Sequence, residues 1–186
     1  MQRTIKNKKA LSNVVSTLII LVVSVLLAGV VTMYAINITS TRTQQESLKL
    51  TKQAIWVYSN GTAIAAVAVD NVGGRDVVLD KIQVRGVETD WTSVYYLRRS
   101  SAVSTSLICP NATHAWSNFL YTAGELANFT TDGYDKVLAS GNTMIVYIMD
   151  PDSVSVNDVG VTIGITIFTE NAQYYVETNV RSAEYA

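Results

Sequence analysis

The chain has 186 residues, a formal net charge of −1, one cysteine, one histidine and two prolines. That length fits one globular domain plus a short extra element. The near-zero charge argues against a general nucleic-acid binder, which would show a basic face or stripe. The lone Cys109 excludes an internal disulfide, and the lone His114 leaves a His-based triad or multi-His metal site little to draw on.

Charge is unevenly spread along the chain. Arg3, Lys6, Lys8 and Lys9 precede Ala10, and no further charged residue occurs until Arg42. Between them lies a continuous apolar run, Val14 to Val31, which goes on more weakly through Met33, Tyr34, Ala35, Ile36 and Ile38. About 20 such residues suffice for a helix to cross a bilayer core. The run is apolar on every side, so it offers no single stripe to a core. Its Ser and Thr hydroxyls can bond back to the preceding helical turn, which makes them tolerable in lipid. The basic start predicts a cytoplasmic N-terminus with the remainder outside. An ordinary secretory signal has a shorter apolar core, about 7–15 residues, followed by a small-residue cleavage site. Here the run is longer and no such site closes it. A plain single-pass anchor also fits the run.

The junction between the basic and apolar parts reads Lys8-Lys9-Ala10-Leu11-Ser12-Asn13-Val14-Val15. In this order of basic residues, small residue and long apolar run, the sequence resembles the class III signal of archaeal type IV pilins and archaellins. The resemblance implies a prepilin peptidase cutting on the cytoplasmic side between Ala10 and Leu11, with Lys9 just before the cut. It is closer to adhesion-type pilins, in the Leu11-Ser12 start and the Val14-Val15 pair. It departs from them with Asn13 where Pro is common and Ser16 where Gly is common. Val15 stands where many bacterial type IV pilins carry glutamate, which favours the archaeal kind of assembly.

Such a family implies a helix that is satisfied by lipid before assembly and by identical helices afterwards. Val14, Val15, Leu18, Ile19, Leu21, Val22, Val25, Leu26 and Gly29 are the expected filament-core positions. Burial at roughly 25 cal/mol per Å² of apolar surface makes the assembly term large. An interface that does not close into a ring gives an open helical filament. Ala28 and Gly29 would permit close helix approach, although small residues are common in any apolar helix.

Asn37 to Gln53 contains no Gly or Pro, which predicts a helix continuing to about Lys52, despite the poor helix formers from Thr39 to Thr43. The expected organisation is therefore a removed signal (1–10), an assembly or transmembrane helix (11–53) and an all-β antiparallel sandwich (54–186). In the third part, Ala54 to Tyr58 reads as a strand, Ser59-Asn60-Gly61 as a hairpin turn, and Thr62 to Val69 as the returning strand. Asp70 to Gly74 is the next turn, and Asp76 to Arg85 alternates. Ser100 to Lys136 shows no period and is expected to hold solvent-facing loops with at most one short element. Thr143 to Met149, Val159 to Phe168 and Gln173 to Val180 complete the strands.

Four N-x-S/T motifs occur, at Asn37, Asn60, Asn111 and Asn128. On an exported chain these are glycan acceptors. Asn60, Asn111 and Asn128 lie in turn-like or loop-like surroundings and are the expected sites, while Asn37 sits at the end of the apolar helix. Cys109 and His114 lack further partners for zinc. Asp150, Asp152 and Asp158 do not match an EF-hand spacing. Gly73-Gly74 lies in a hairpin-like turn rather than between strand and helix, so it is no phosphate loop. Trp91, Trp116, Tyr95-Tyr96 and Tyr174-Tyr175 read as core or interface packing. No acid, base and nucleophile constellation is visible, and no cofactor is expected.

The resemblance thus implies a structural subunit of an extracellular filament used in adhesion. Its partners would be copies of itself, the membrane before assembly, the prepilin peptidase and the pilus assembly machinery, and no nucleic acid. An archaellin of a swimming filament is the alternative within the family. Outside it stands a single-pass membrane protein with an external ligand-binding β-sandwich.

Overall fold

The computed structural model of the chain describes residues 3–111 and 115–183. These fall into two compact units, one ending at Thr43 and the other beginning at Gln44. The first is a single helix, α1 (Arg3–Thr43), of 41 residues. At 1.5 Å per residue it is about 60 Å long.

The second unit, the head, is almost entirely β. In chain order its strands are β1 (Leu48–Val57), β2 (Ala63–Asn71), β3 (Val77–Val84), β4 (Val87–Thr89), β5 (Val94–Arg99) and β6 (Phe119–Thr122). They continue with β7 (Glu125–Ala127), β8 (Lys136–Leu138), β9 (Thr143–Met149), β10 (Thr162–Thr169) and β11 (Gln173–Ser182). Nine of them form one curled sheet in the order β4-β3-β10-β11-β1-β2-β9-β5, with β8 also paired to β3. The chain is thus a long apolar N-terminal helix followed by a mostly β, curled-sheet domain.

The helix stops short of the expected boundary. Residues 48–53 are strand, not helix, and the division falls at Thr43/Gln44 rather than 53/54. The reason is local. The Thr39–Thr43 stretch loses side-chain freedom in a helix. Beyond it, Leu48-Lys49-Leu50 alternates buried, exposed and half-buried, which is strand period.

A second correction concerns strand direction. Nearly every pair is antiparallel, but β1 and β11 run parallel, with Ile55 opposite Val180 and Val57 opposite Ser182. The sheet is therefore mixed. The first and last strands of the head lie side by side and point the same way.

The bulge in β1 decides which residues meet the core. Register shifts between Thr51 and Ala54, and Lys52 takes a φ of 54°. Before the bulge, Leu48 and Leu50 face the main core; after it, Ile55 and Val57 do. One extra residue has switched the parity of the strand. Ala54, Trp56 and Tyr58 consequently face a second core on the opposite side.

That second core corrects the expectation for residues 100–136. Val103, Leu107, Phe119, Tyr121 and Phe129 are buried against Trp56, Tyr58, Ile64 and Tyr147. The segment forms a layer over the outer face of β1, β2, β9 and β5, including the β6–β7 hairpin. Those central strands are covered on both faces, which explains the unbroken apolar run Ala63 to Val69.

Candidate assembly surface

Within α1, Leu11–Thr41 is a 31-residue stretch long and apolar enough to cross a membrane. It holds no charged residue. Its length is about 45 Å against a hydrocarbon core of about 30 Å. The large apolar side chains from Leu11 to Ile38 are 42% to 70% exposed. The expected filament-core positions Val14, Val15, Leu18, Ile19, Leu21, Val22, Val25 and Leu26 all belong to this exposed set. Around Gly29 an added Cβ would meet no atom within 4 Å.

Four hydroxyls of this helix bond back to its own backbone. Thr17 donates to the Val14 carbonyl (2.9 Å), Ser24 to Ile20 (2.7 Å), Thr32 to Ala28 (2.8 Å) and Thr41 to Asn37 (2.9 Å). A water-free surrounding would therefore leave these donors paired. The backbone of Lys9, Ala10 and Leu11, the expected cleavage residues, is helical.

Where the chain enters the head, residues 45–47 form a strap. The Val72 and Gly73 amides both donate to the Ser47 carbonyl (3.0 Å each), and the Gly74 amide donates to Gln45 (3.3 Å). A Cβ on Gly73 would stand 2.6 Å from the Ser47 nitrogen and 2.7 Å from the Gln45 oxygen, so only glycine permits this approach. The Glu46 carboxylate accepts from the Thr169 hydroxyl and from Asn171 Nδ2 (3.3 Å). The strap thus joins the β2–β3 turn to the β10–β11 turn.

The three expected glycan acceptors are all exposed. Asn60 sits in the β1–β2 turn, where its Oδ1 accepts from the Thr62 amide (3.0 Å) and Gly61 takes a φ of 96°. Asn128 Oδ1 accepts from the Asn118 amide (2.7 Å). The threonine of the Asn111 motif lies outside the described residues.

The remaining sequence candidates are scattered. Cys109 is half-buried and shares a 3.4 Å hydrogen bond with the Tyr58 hydroxyl; burial raises its thiol pKa. His114 lies outside the described residues. Asp150 accepts from the Ala63 amide (3.3 Å), while Asp158 caps a 3-10 turn. The Ser155 amide and hydroxyl, then Arg85, hold the Asp158 carboxyl below its usual range. Among the described residues no group of three or more His, Cys, Asp or Glu could hold a metal ion. Trp116 stacks on Tyr95 with centroids 4.2 Å apart, and Tyr175 donates to Glu177 (2.8 Å).

Sequence reasoning missed Lys136. It is fully buried, ion-paired with Asp132, and lies over the rings of Trp91 (4.7 Å) and Tyr96 (5.0 Å). The lysine, then the Tyr96 hydroxyl (2.7 Å), hold the Asp132 carboxyl down at about 2. Lys136 comes from β8 and Tyr96 from β5, so the cation closes the gap between the two edges of the curled sheet. No sequence signal marks it, since a lysine between Asp135 and Val137 reads as solvated.

No protein-family model and no curated protein matches the sequence. Among solved structures, a β-glucosidase from Listeria innocua in complex with glucose is 12% identical, with a TM-score of 0.25. That match covers 74% of this chain and 16% of the enzyme. A second crystal structure of the same enzyme gives 12% identity and 0.26, over 76% of this chain and 16% of the enzyme. Such overlap is too slight to assign fold or chemistry.

Proposed function

We propose that the chain is the structural subunit of an extracellular filament, of the archaeal type IV pilin kind, used for adhesion to surfaces or other cells. The observation that carries this reading is the helix: 31 uncharged residues, apolar on every side, with its large apolar side chains exposed, joined to a separate β head. Such a surface needs lipid or copies of itself around it. The basic-small-apolar junction at Lys9-Ala10-Leu11 supplies the release step. A peptidase cut there leaves the whole apolar segment on the mature chain, where an ordinary signal cleavage would remove it. The head then forms the filament surface, carrying glycans at Asn60, Asn111 and Asn128.

The test is mass spectrometry of filaments sheared from native cells. A mature chain beginning at Leu11, heavier than the bare polypeptide by discrete glycan masses, is the expected result. A bare mass would remove the glycans from the proposal. An intact Met1 terminus confined to the membrane fraction would sink the filament reading and leave a membrane-anchored β domain.

A further inference from the structure

β1 begins where the chain leaves the strap, and β11 ends beside the far end of β1, at Val57↔Ser182. A pull on Gln44 that is opposed at the far end of the head therefore runs along β1. On one side β1 is bonded to β2 from Leu48↔Asn71 to Val57↔Ala63. On the other it is bonded to β11, with the Ala183 amide donating to Val57 (2.8 Å), the Thr178 hydroxyl to the Gln53 carbonyl (3.4 Å) and Gln53 Nε2 to Glu177 (3.3 Å). We propose that the head is a tension clamp, in which force arriving through the helix is resisted by shearing β1 between β2 and β11. The inference rests on one part of the function above, that the helix is held fast while the head stands outside.

Three features of β1 suit that task. Ladder bonds between antiparallel strands lie across the strand direction, so a pull along β1 strains them together, whereas a pull across the strand opens them one at a time. β1 is also keyed on both faces. Sliding it by one position would exchange Ile55 and Val57, set in the main core, with Trp56 and Tyr58, set in the second. The bulge adds a third obstacle, because Lys52 is unpaired with β2 there and its Nζ donates to the Ser104 carbonyl (2.8 Å). The strap sits ahead of β1, at the end the pull reaches first, and its bonds to Val72, Gly73 and Gly74 must part before the strand moves.

The experiment is single-molecule force spectroscopy on the full chain in lipid nanodiscs. Handles go on azide-bearing residues, leaving Cys109 untouched. In one geometry they stand at position 44 and the C-terminus, which shears β1. In the other they stand at positions 44 and 75, at the same end of the head, which peels β1 from β2. The expected result is a several-fold higher unfolding force in the first geometry at equal pulling speed. Equal forces, or a higher force for peeling, would overturn the proposal. Forced unfolding reads the unfolding barrier of one head. Its outcome is thus separate from whether filaments form, which the N-terminal mass decides.

Discussion

Replacing Gly73 with alanine should loosen the head by displacing the strap. The new Cβ would lie 2.6 Å from the Ser47 nitrogen and 2.7 Å from the Gln45 oxygen, both backbone atoms, so no side chain can swing aside. The Val72 and Gly74 amides would lose their acceptors, while the Gly73 amide keeps Asn71 Oδ1 (3.0 Å). At about 0.5–1.5 kcal/mol each, the loss is about 1–3 kcal/mol. Alanine also stiffens the unfolded chain, which returns about 0.4–1 kcal/mol. The net destabilisation then centres on about 1.3 kcal/mol, with about 2.6 kcal/mol as its upper end. All three tryptophans, Trp56, Trp91 and Trp116, are in the head, so their fluorescence during urea unfolding of the detergent-solubilised chain reports it alone. With a slope of about 1–3 kcal/mol per molar urea, a 2 kcal/mol loss moves the midpoint by about 1 M. Gly61→Ala is the comparison: its added Cβ meets no atom within 4 Å, and its cost comes only from the φ of 96°. A Gly73→Ala midpoint equal to or above the parent's would refute the reasoning about the strap.

Three further outcomes are expected. The Asp132 carboxyl, held at about 2 in the folded head by Lys136 and Tyr96, sits below its ordinary value of 3.8. A depressed folded pKa stabilises above the unfolded value, so its contribution should be whole above about pH 4 and fade as pH falls toward 2. An NMR titration of Asp132 giving an ordinary carboxyl pKa would contradict this. Lys136→Ala should destabilise the head by about 2 kcal/mol or more, since it empties a fully buried site facing Trp91 and Tyr96, and Lys136→Met should recover most of the loss. Thermal unfolding of the two variants distinguishes packing from charge: equal losses would mean the cation itself is needed. Burial holds the Cys109 thiol above its ordinary pKa, so iodoacetamide should label it slowly in the folded chain and quickly in urea. Labelling at the same rate in both would place the thiol outside the second core.

The helix, most turns and several of the longer strands were legible because each carries its own periodic signal. Thr143 to Met149 matches β9, and the Asn60-Gly61 turn lies where the dipeptide puts it. What escaped depends on residues far apart in the chain. Leu48 and Leu50 alternate like a strand, but the bulge at Lys52 breaks the alternation before it reaches Ile55, so the two halves of β1 do not read as one element. The parallel pairing of β1 with β11 has no local mark at all. Nor has the second core: Val103, Leu107, Phe119 and Phe129 have no common period, and are united only by the face they cover. In the candidate site, exposure of the helix was readable from composition, whereas the strap was not. By sequence Gly73 is an ordinary turn residue; its requirement comes from Ser47 and Gln45, which lie against it from far up the chain.

The neighbouring placement of the first and last strands also bears on how the head is made. Gln53 and Thr178, bonded in the finished domain, lie 125 positions apart. A chain emerging from the ribosome or a translocon presents β1 long before β11 exists. Contacts that distant are slow to close, because the entropy of the intervening loop is lost before any bond forms. Until then one flank of β1 is an open strand edge able to pair with another chain. Newly made heads should therefore be most prone to mispairing along β1. Holding nascent chains apart, by a chaperone or by slow delivery, would matter most until Val180 has emerged.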